Sequence, residues 1–299
     1  MRLSIIKTLS YSDIFDFPLT RDEIFKFYIG KITDKKKVFS TLTKMVRTKQ
    51  IGKYGKYYFL NGKKNLCLLR KKREMESKRK MRIARRSAFL LSFVPTIKLL
   101  GISGSLSMNN AQRRDDIDLF IITSKNTLWL TRFLVNLILL AKGAKRARND
   151  SYGADSICPN MFVSISSLNV PNNLFSAHEV TQLKVLVNKN RTYEKFVSEN
   201  SWVSRFLPHA DKYRRVKINK KGNLAMLLID RLFYIPQYVY MKRRITKENI
   251  TAHQAMFHPK DKTSFVLALY TTKYKSYWKS LKSLQILQDI DIYSSIRYI

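Results

Sequence analysis

The chain has 299 residues, enough for two or three domains, and its formal net charge of +36 is extreme for an ordinary enzyme. A hydrophobic content of 45% with 12% aromatic residues excludes an intrinsically disordered protein. The charge predicts a polyanionic partner such as RNA, DNA or an anionic membrane surface, with a lysine-rich proteome as the alternative explanation. The longest apolar runs, 128–141 and 224–241, contain charged residues and fall short of a membrane span.

The few cysteines and histidines favour no particular site. Cys67 and Cys158 lie far apart and show neither metal nor redox spacing. The four histidines show no zinc-ligand spacing. The N-terminal residues lack the apolar run and the cleavage site of a signal peptide. Together these features predict a reduced, cytoplasmic protein.

Residues 1–62 predict a small helical module. Thr20 and Glu23 have the spacing of a capping box at the start of a second helix, and a third helix begins near Asp34. The apolar positions of the third helix follow helical spacing: Val38, Leu42, Met45 and Val46. Residues 51–59 predict a hairpin with a glycine in its turn. The module resembles a winged helix, which implies duplex binding or, equally, a role in packing or protein contact.

Residues 63–95 predict a basic helical connector that ends before Pro95. Between Arg70 and Arg86 there are ten basic residues and two acids. The stretches 71–73 and 78–80 predict a nucleic-acid track. The alternative is the solvated face of a linker helix.

The most informative stretch is 97–122. Residues 97–102 predict a buried strand, and Gly104 with Ser105 follows it at a strand-to-helix turn. Asp116 and Asp118 open a second strand, where alternation places both carboxylates on the same face. Two close carboxylates repel each other unless a cation lies between them, and oxygen ligands favour Mg²⁺ or Mn²⁺. The turn offers a triphosphate close backbone approach, free N–H groups and a hydroxyl.

These residues resemble the polymerase-β-like nucleotidyltransferase superfamily over about 97–170. The matching positions are Ser103, Gly104 and Ser105, then, after a spacer, Asp116, Ile117, Asp118 and Leu119. The resemblance implies an NTP substrate, a hydroxyl acceptor and two metal-binding carboxylates. It also implies a third carboxylate on a later strand, whereas the next predicted strand, 160–166, contains no acid.

Asp155 is the nearest substitute for that third acid, with Asp150 and Glu179 behind it. The predicted site therefore consists of Asp116, Asp118 and Asp155 as catalytic residues, Asp116 and Asp118 as metal ligands, and Gly104 and Ser105 as phosphate-binding residues. If no third acid reaches the site, the resemblance implies nucleotide binding with slow transfer or none.

The rest of the chain predicts packing elements. A helix ends near Gly143, and its stripe of Trp129, Phe133, Leu137 and Leu140 is expected to pack on the sheet. Further helices are predicted at 178–187, 193–206, 224–241 and 263–284. Aromatic and basic residues alternate over 270–279, which predicts either single-strand binding or a packed core.

The sequence thus predicts an α+β protein with four segments: 1–62, 63–95, 96–170 and 171–299. A small mixed sheet forms the nucleotidyltransferase core, flanked by the winged-helix-like module and a helical C-terminal domain. The leading functional prediction is transfer of NMP from an NTP to a hydroxyl of RNA, a small molecule or a protein. The alternative is a non-catalytic nucleic-acid-binding protein with a degenerate nucleotidyltransferase fold. A third is binding to an anionic membrane surface through 224–241 and the basic residues after it.

Overall fold

The structure, a computed structural model, describes residues 1–60, 62–145, 154–213, 223–242, 249–256 and 262–283. The elements in chain order are α1 (Arg2–Asp13), β1 (Leu19–Thr20), α2 (Arg21–Lys26), α3 (Lys35–Arg47), β2 (Gly52–Tyr54), β3 (Tyr57–Phe59), α4 (Asn65–Ser92), β4 (Ile97–Ile102), α5 (Gly104–Ser107), β5 (Ile117–Thr123), α6 (Leu128–Ala141), β6 (Ile157–Ser164), α7 (Leu174–Gln182), β7 (Lys184–Asn188), α8 (Thr192–Glu199), α9 (Val203–Phe206), α10 (Leu224–Lys242), β8 (Asn249–Ile250), β9 (Gln254–Met256) and α11 (Lys262–Ser283). Helices combined with small sheets confirm the predicted α+β class.

None of the helices within these ranges combines the length and apolarity that a membrane crossing requires.

Contacts divide the chain into two compact units, residues 1–68 with 264–299 and residues 69–263. These units do not coincide with the four predicted segments, because the units group residues that contact each other, whereas the segments follow chain order. Helix α4 begins in the first unit and continues in the second, and most of α11 belongs with the N-terminal module.

The first unit contains the three helices and the hairpin predicted from residues 1–62. Thr20 and Glu23 form the predicted capping box, in which the Thr20 N–H donates to Glu23 Oε2 at 2.8 Å. Asp34 caps α3 by accepting the N–H groups of the second and third residues of that helix. Strands β1, β3 and β2 form an antiparallel sheet in that order, and Gly55 takes the left-handed backbone conformation in the hairpin turn. Nucleic-acid binding by this module stays a prediction.

Helix α11 packs within the first unit through several of the aromatic and basic residues that predicted a stacking surface. Tyr270 is buried with its ring against Tyr11. Lys273 donates to the buried Asp13 carboxylate at 2.7 Å, and the Tyr277 hydroxyl donates to the Gln50 carbonyl at 2.6 Å. These contacts correspond to the packed-core alternative for this part of the helix.

The second unit is built on a six-stranded mixed sheet in the order β7-β4-β5-β6-β9-β8. Strands β5 and β6 pair in parallel, and the other neighbouring strands pair antiparallel. The predicted buried strand at 97–102 is confirmed as β4, which lies beside β5. Residues Ile117, Leu119 and Ile121 of β5 pack in the main core with Trp129 of α6. Asp118, which alternates with them, therefore faces the other side of the sheet.

The predicted packing stripe of α6 is wrong for three of its four residues. Trp129 is fully buried, but Phe133, Leu137 and Leu140 are exposed by 41%, 51% and 66%. The buried side also contains Leu128, Val135 and Leu139. Because α6 is apolar around most of its circumference, periodicity could not decide which stripe faces the sheet.

Two other boundaries differ from the sequence-based predictions. The helix predicted at 178–187 ends at Gln182, and the Val-rich residues after it form edge strand β7. Strand β6 begins at Ile157, three residues before the predicted start. Pro159 lies inside β6 opposite Leu119, next to an irregularity in the pairing, and proline normally marks a break in a strand. The earlier start brings Cys158 directly beside Asp118.

Helix α10, predicted at 224–241, packs against α6 and caps its N-terminus from a distant point in the sequence. The Asp230 carboxylate accepts the N–H groups of Trp129 and Leu130 at 2.7 and 2.8 Å, and it is 5% exposed. The N-cap residue of α6, Thr127, makes no side-chain cap of its own. Asp230 therefore supplies the partner that the start of α6 requires.

We expect Asp230→Ala to lower the free energy of unfolding by about 2 kcal/mol, because two buried N–H groups lose their acceptor. For a unit of this size the thermal midpoint falls by roughly 4–8 °C. Differential scanning calorimetry measures the shift. Asp211→Ala, which removes an exposed carboxylate of the same unit, is the matched control. Equal midpoints for the two variants would contradict the capping role.

Candidate active site

The two aspartates singled out in the sequence lie together with a cysteine on one face of the sheet. Asp118 belongs to β5, Asp116 immediately precedes that strand, and Cys158 is the partner of Asp118 on β6. One ligand atom from each of the three residues lies within 4.8 Å of the other two, and all three side chains are half-buried. This separation is compatible with one shared cation. Carboxylates suit Mg²⁺ or Mn²⁺, whereas a thiolate shifts the preference toward a softer divalent ion.

Gly104 makes the close approach to this centre possible. It begins the short helix α5 with a φ of +61°, a conformation that L side chains rarely adopt. A Cβ atom at this position would lie 2.3 Å from Asp118 Oδ2. The neighbouring Ser103 N–H donates to the Asp118 carbonyl at 3.1 Å, which holds the turn against β5. The sequence-based pairing of Gly104 with Asp118 therefore has a steric basis.

Ser105 is bonded to a carboxylate that the sequence analysis did not select. Its hydroxyl donates to Asp115 Oδ2 at 2.8 Å, and the Gln112 N–H donates to the same oxygen at 2.9 Å. Asp115 thus ties the start of α5 to the loop before β5. The role of Ser105 as a phosphate donor stays a prediction, and this hydroxyl would have to turn away from Asp115 to fulfil it.

Asp155 lies two residues before β6, and its carboxylate is held by two cations of α4. Its carboxylate accepts from Arg79 at 2.6 Å and from Lys80 at 2.9 Å. The hydrogen bonds from Arg79, followed by that from Lys80, lower the pKa of Asp155 to about 2. Asp155 is not part of the group of three close ligands, and Asp150 lies outside the described residues. The contacts of Asp155 are those of a structural ion pair, and its catalytic role stays a prediction.

Helix α4 supports the loop that leads into Asp116, a role that its charge pattern did not suggest. Arg73 donates to Asn110 Oδ1 at 3.1 Å, and the Ser77 hydroxyl accepts the Ala111 N–H at 3.0 Å. Lys80 is fully buried and donates to the Arg113 and Asp115 carbonyls at 3.1 and 2.6 Å. Half of the predicted nucleic-acid track (Arg73, Arg79 and Lys80) is therefore used inside this unit.

An amide occupies the position beside Asp118 on β6 where an acid was sought. Asn160 donates from Nδ2 to Asp118 Oδ1 at 2.5 Å, and it is 7% exposed. Its Oδ1 accepts no hydrogen bond from any described residue. A buried amide oxygen without a donor is uncommon, and a cation or a bound water would satisfy it. The polar character of this corner therefore fits an ionic ligand.

Glu179 of α7 is the acid that the sequence ranked behind Asp155 and that the fold places close to Gly104. Burial, together with the negative charge of Asp118, raises the pKa of Glu179 to about 7. Its carboxylate accepts the Gly104 N–H and a hydrogen bond from Gln182 at 2.5 Å. The sequence analysis named Glu179 as a possible third acid, but it could not place the residue beside Gly104, because 75 positions separate the two and only the tertiary fold brings them together.

We expect Gly104→Ala to weaken Mn²⁺ binding by at least tenfold, because the new methyl group displaces the Asp118 carboxylate. Titration followed by electron paramagnetic resonance of free Mn²⁺ measures the affinity. The matched control is Gly143→Ala, at a similar positive φ of +60° but with no atom within 4 Å of the added Cβ. Similar Mn²⁺ affinities for the two variants would contradict a role of the Gly104–Asp118 contact in the site.

We also expect the ion pair of Asp155 to contribute an acid-dependent part of the stability. The pKa of Asp155 falls from an ordinary 3.8 to about 2 on folding, so its contribution is complete above about pH 4 and is lost as the pH falls through about 2. Because the side chain is 34% exposed, solvent screening limits the contribution to about 1 kcal/mol.

Urea unfolding of wild type and Asp155→Asn at pH 7 and pH 3 measures this effect. The variant is expected to be less stable at pH 7 and to lose less stability on acidification. Asp211→Asn serves as the exposed control and should follow the wild type. Parallel pH profiles for the wild type and Asp155→Asn would contradict the assignment.

Comparison with known proteins does not provide a family for the chain. A scan against protein-family models and a search of curated proteins both found no match. The resemblance to the polymerase-β-like superfamily therefore depends on the site residues, and the function has to be argued from their geometry.

Proposed function

We propose that the protein is a metal-dependent nucleotidyltransferase that moves NMP from an NTP to a hydroxyl acceptor. The observation that carries the proposal is the contact between the Gly104 turn and Asp118, whose carboxylate lies within ligand distance of Asp116. The missing side chain at Gly104 lets the Asp118 carboxylate approach the start of α5, and Asp116 and Asp118 are close enough to share a cation, which would bind phosphate oxygens. Cys158 completes a group of three possible ligands.

Asp116, Asp118 and Cys158 would hold the cation, and the thiol favours Mn²⁺ over Mg²⁺. When bound, the cation supplies positive charge that polarises the phosphate and offsets charge on the leaving group. The missing side chain at Gly104 lets Asp118 come close, the phosphate oxygens would bind through the cation, and Asn160 orients Asp118 through its amide. Exposed Arg113, in the loop supported by Lys80, is available for phosphate charge.

The proposed transfer forms one bond and breaks one bond at the α-phosphorus of the NTP. The acceptor hydroxyl oxygen forms a bond to the α-phosphorus, and the bond from that phosphorus to the bridging oxygen of the β-phosphate breaks. Pyrophosphate leaves with the bonding electron pair, and the hydroxyl proton passes to water. The products are the nucleotidylated acceptor, pyrophosphate and one proton.

A second candidate function is non-catalytic binding of nucleic acid. Two observations favour it. On β6 the residues beside Asp118 are Cys158 and Asn160, where the resemblance implies an acid, and the nearby acid Asp155 is already ion-paired with Arg79 and Lys80. The net charge of +36 supplies the electrostatic attraction. On this proposal the site would bind a nucleotide without turning it over.

Release of pyrophosphate from each of the four NTPs, with Mn²⁺ and with RNA, protein or no acceptor, tests the proposed function. Asp118→Asn is expected to reduce the rate at least 100-fold, since it removes a charged ligand and keeps the shape. Asp211→Asn is the matched control and should retain the wild-type rate.

Absence of pyrophosphate with every NTP and acceptor pool would contradict the transferase. Salt-dependent binding of duplex or single-stranded probes that is unchanged in Asp118→Asn would then support the second candidate. Weak binding that does not depend on salt would contradict that candidate as well.

A further inference from the structure

A pocket of about 130 Å³ lies between the sheet and α7. Most of its wall is apolar, and the lining includes Phe120, Met161, Phe175, Val180, Leu183 and Phe196. Phe120 and Phe196 are almost fully buried, with ring centroids 5.1 Å apart. The polar part of the lining consists of Ser103, Ser176, Glu179 and Thr263.

The pocket shares a wall with the candidate metal centre. Phe120 follows Asp118 by two residues on β5, so both side chains point to the same face about 7 Å apart. Ser103 lines the pocket and directly precedes Gly104. Glu179 lines the pocket and also accepts the Gly104 N–H. A molecule with its phosphates at the Gly104 turn can therefore extend into this pocket.

The size of the pocket suits one aromatic ring. An engineered apolar cavity of about 150 Å³ binds benzene, and the volume here is slightly smaller. The aromatic walls offer stacking and edge contacts to a planar ring. A second fused ring would have to extend from this volume into the open mouth of the pocket.

The charge of the pocket also restricts its ligand. Among the described lining residues, Glu179 is the one ionisable side chain. A carboxylate has about four acceptor positions, of which the Gly104 N–H and the Gln182 amide occupy two. When Glu179 is ionised, above its pKa of about 7, the remaining positions favour a ligand that donates hydrogen bonds, such as an exocyclic amino group, and disfavour a phosphate or a carbonyl.

We infer that this pocket binds the cytosine base of a nucleotide whose phosphates lie at the Gly104 turn. Cytosine is a single ring with an amino group, and a carboxylate acceptor is the usual partner of that amino group. Uracil has the same size but presents a carbonyl oxygen in place of the amino group. This assignment rests on the proposed function, since it uses the same phosphate site.

The test separates the base from the phosphates by calorimetric titration in the presence of Mn²⁺. The probes are inorganic tripolyphosphate, CTP, UTP and ATP. We expect wild-type protein to bind CTP at least tenfold more tightly than tripolyphosphate and about tenfold more tightly than UTP or ATP.

Two variants test which side chains of the pocket produce the preference for CTP. Phe175→Ala removes a half-buried wall of the pocket and is expected to weaken CTP about tenfold while leaving tripolyphosphate unchanged. The control is Phe89→Ala, which truncates a phenylalanine of α4 that is 64% exposed. Glu179→Gln adds a donor and is expected to reduce or reverse the CTP-to-UTP preference.

The outcomes distinguish the two proposals. Tripolyphosphate that binds as tightly as CTP would overturn the base pocket and leave the phosphate site intact. CTP that binds while tripolyphosphate does not would overturn the phosphate site at Gly104, and loss of binding for all four probes would overturn both. A Phe175→Ala variant that weakens tripolyphosphate and CTP equally, or an unchanged CTP-to-UTP ratio in Glu179→Gln, would overturn the cytosine assignment.

Discussion

A fully buried lysine holds together the two loops between which the candidate site is built. Lys80 of α4 donates to the carbonyls of Arg113 and Asp115 before β5 and to the Asp155 carboxylate before β6. A buried ammonium group is costly unless such partners surround it, so the burial of Lys80 depends on the positions of these two carbonyls and of the Asp155 carboxylate. The two loops lead into the strands that pair in parallel, and that pairing places Asp118 beside Cys158.

In this arrangement the basic side chains of α4 form two groups, one used within the fold and one exposed to solvent. Arg73 and Lys80 of α4 are buried and Arg79 is half-buried in an ion pair with Asp155, whereas Lys71 and Lys78 are exposed on the same helix. The cations used within the fold neutralise Asp155 and organise the loop, and the Asp116–Asp118 pair lies close to Cys158 in a geometry suited to a cation. The net charge of the sequence therefore overstates the surface available to a polyanion, since part of it serves the fold.

The two sides of the site favour different parts of one ligand. The side with Asp116 and Asp118 suits a cation with phosphate oxygens, and the side with Phe120 and Phe196 suits a neutral ring. Glu179 lies at the boundary, where its carboxylate contacts the Gly104 turn and lines the pocket. A nucleotide combines these properties in one molecule, which is why the pocket and the proposed transferase site are consistent with each other.

Local patterns were sufficient for much of the fold. The capping box at Thr20, the buried strand at Ile97–Ile102 and the start of a strand at the two aspartates follow from short-range sterics and hydrogen bonds, which a sequence records directly. The start of β6 and the buried face of α6 depend on which strand or helix packs alongside, because proline and uniform apolarity leave the local pattern ambiguous. Contacts between residues distant in sequence were determined by the tertiary structure alone. It places Lys80 against the carbonyls before β5, Asp230 at the start of α6, and Cys158 and Glu179 near Asp118. Their roles arise from burial and from strand register, which no single stretch of sequence specifies.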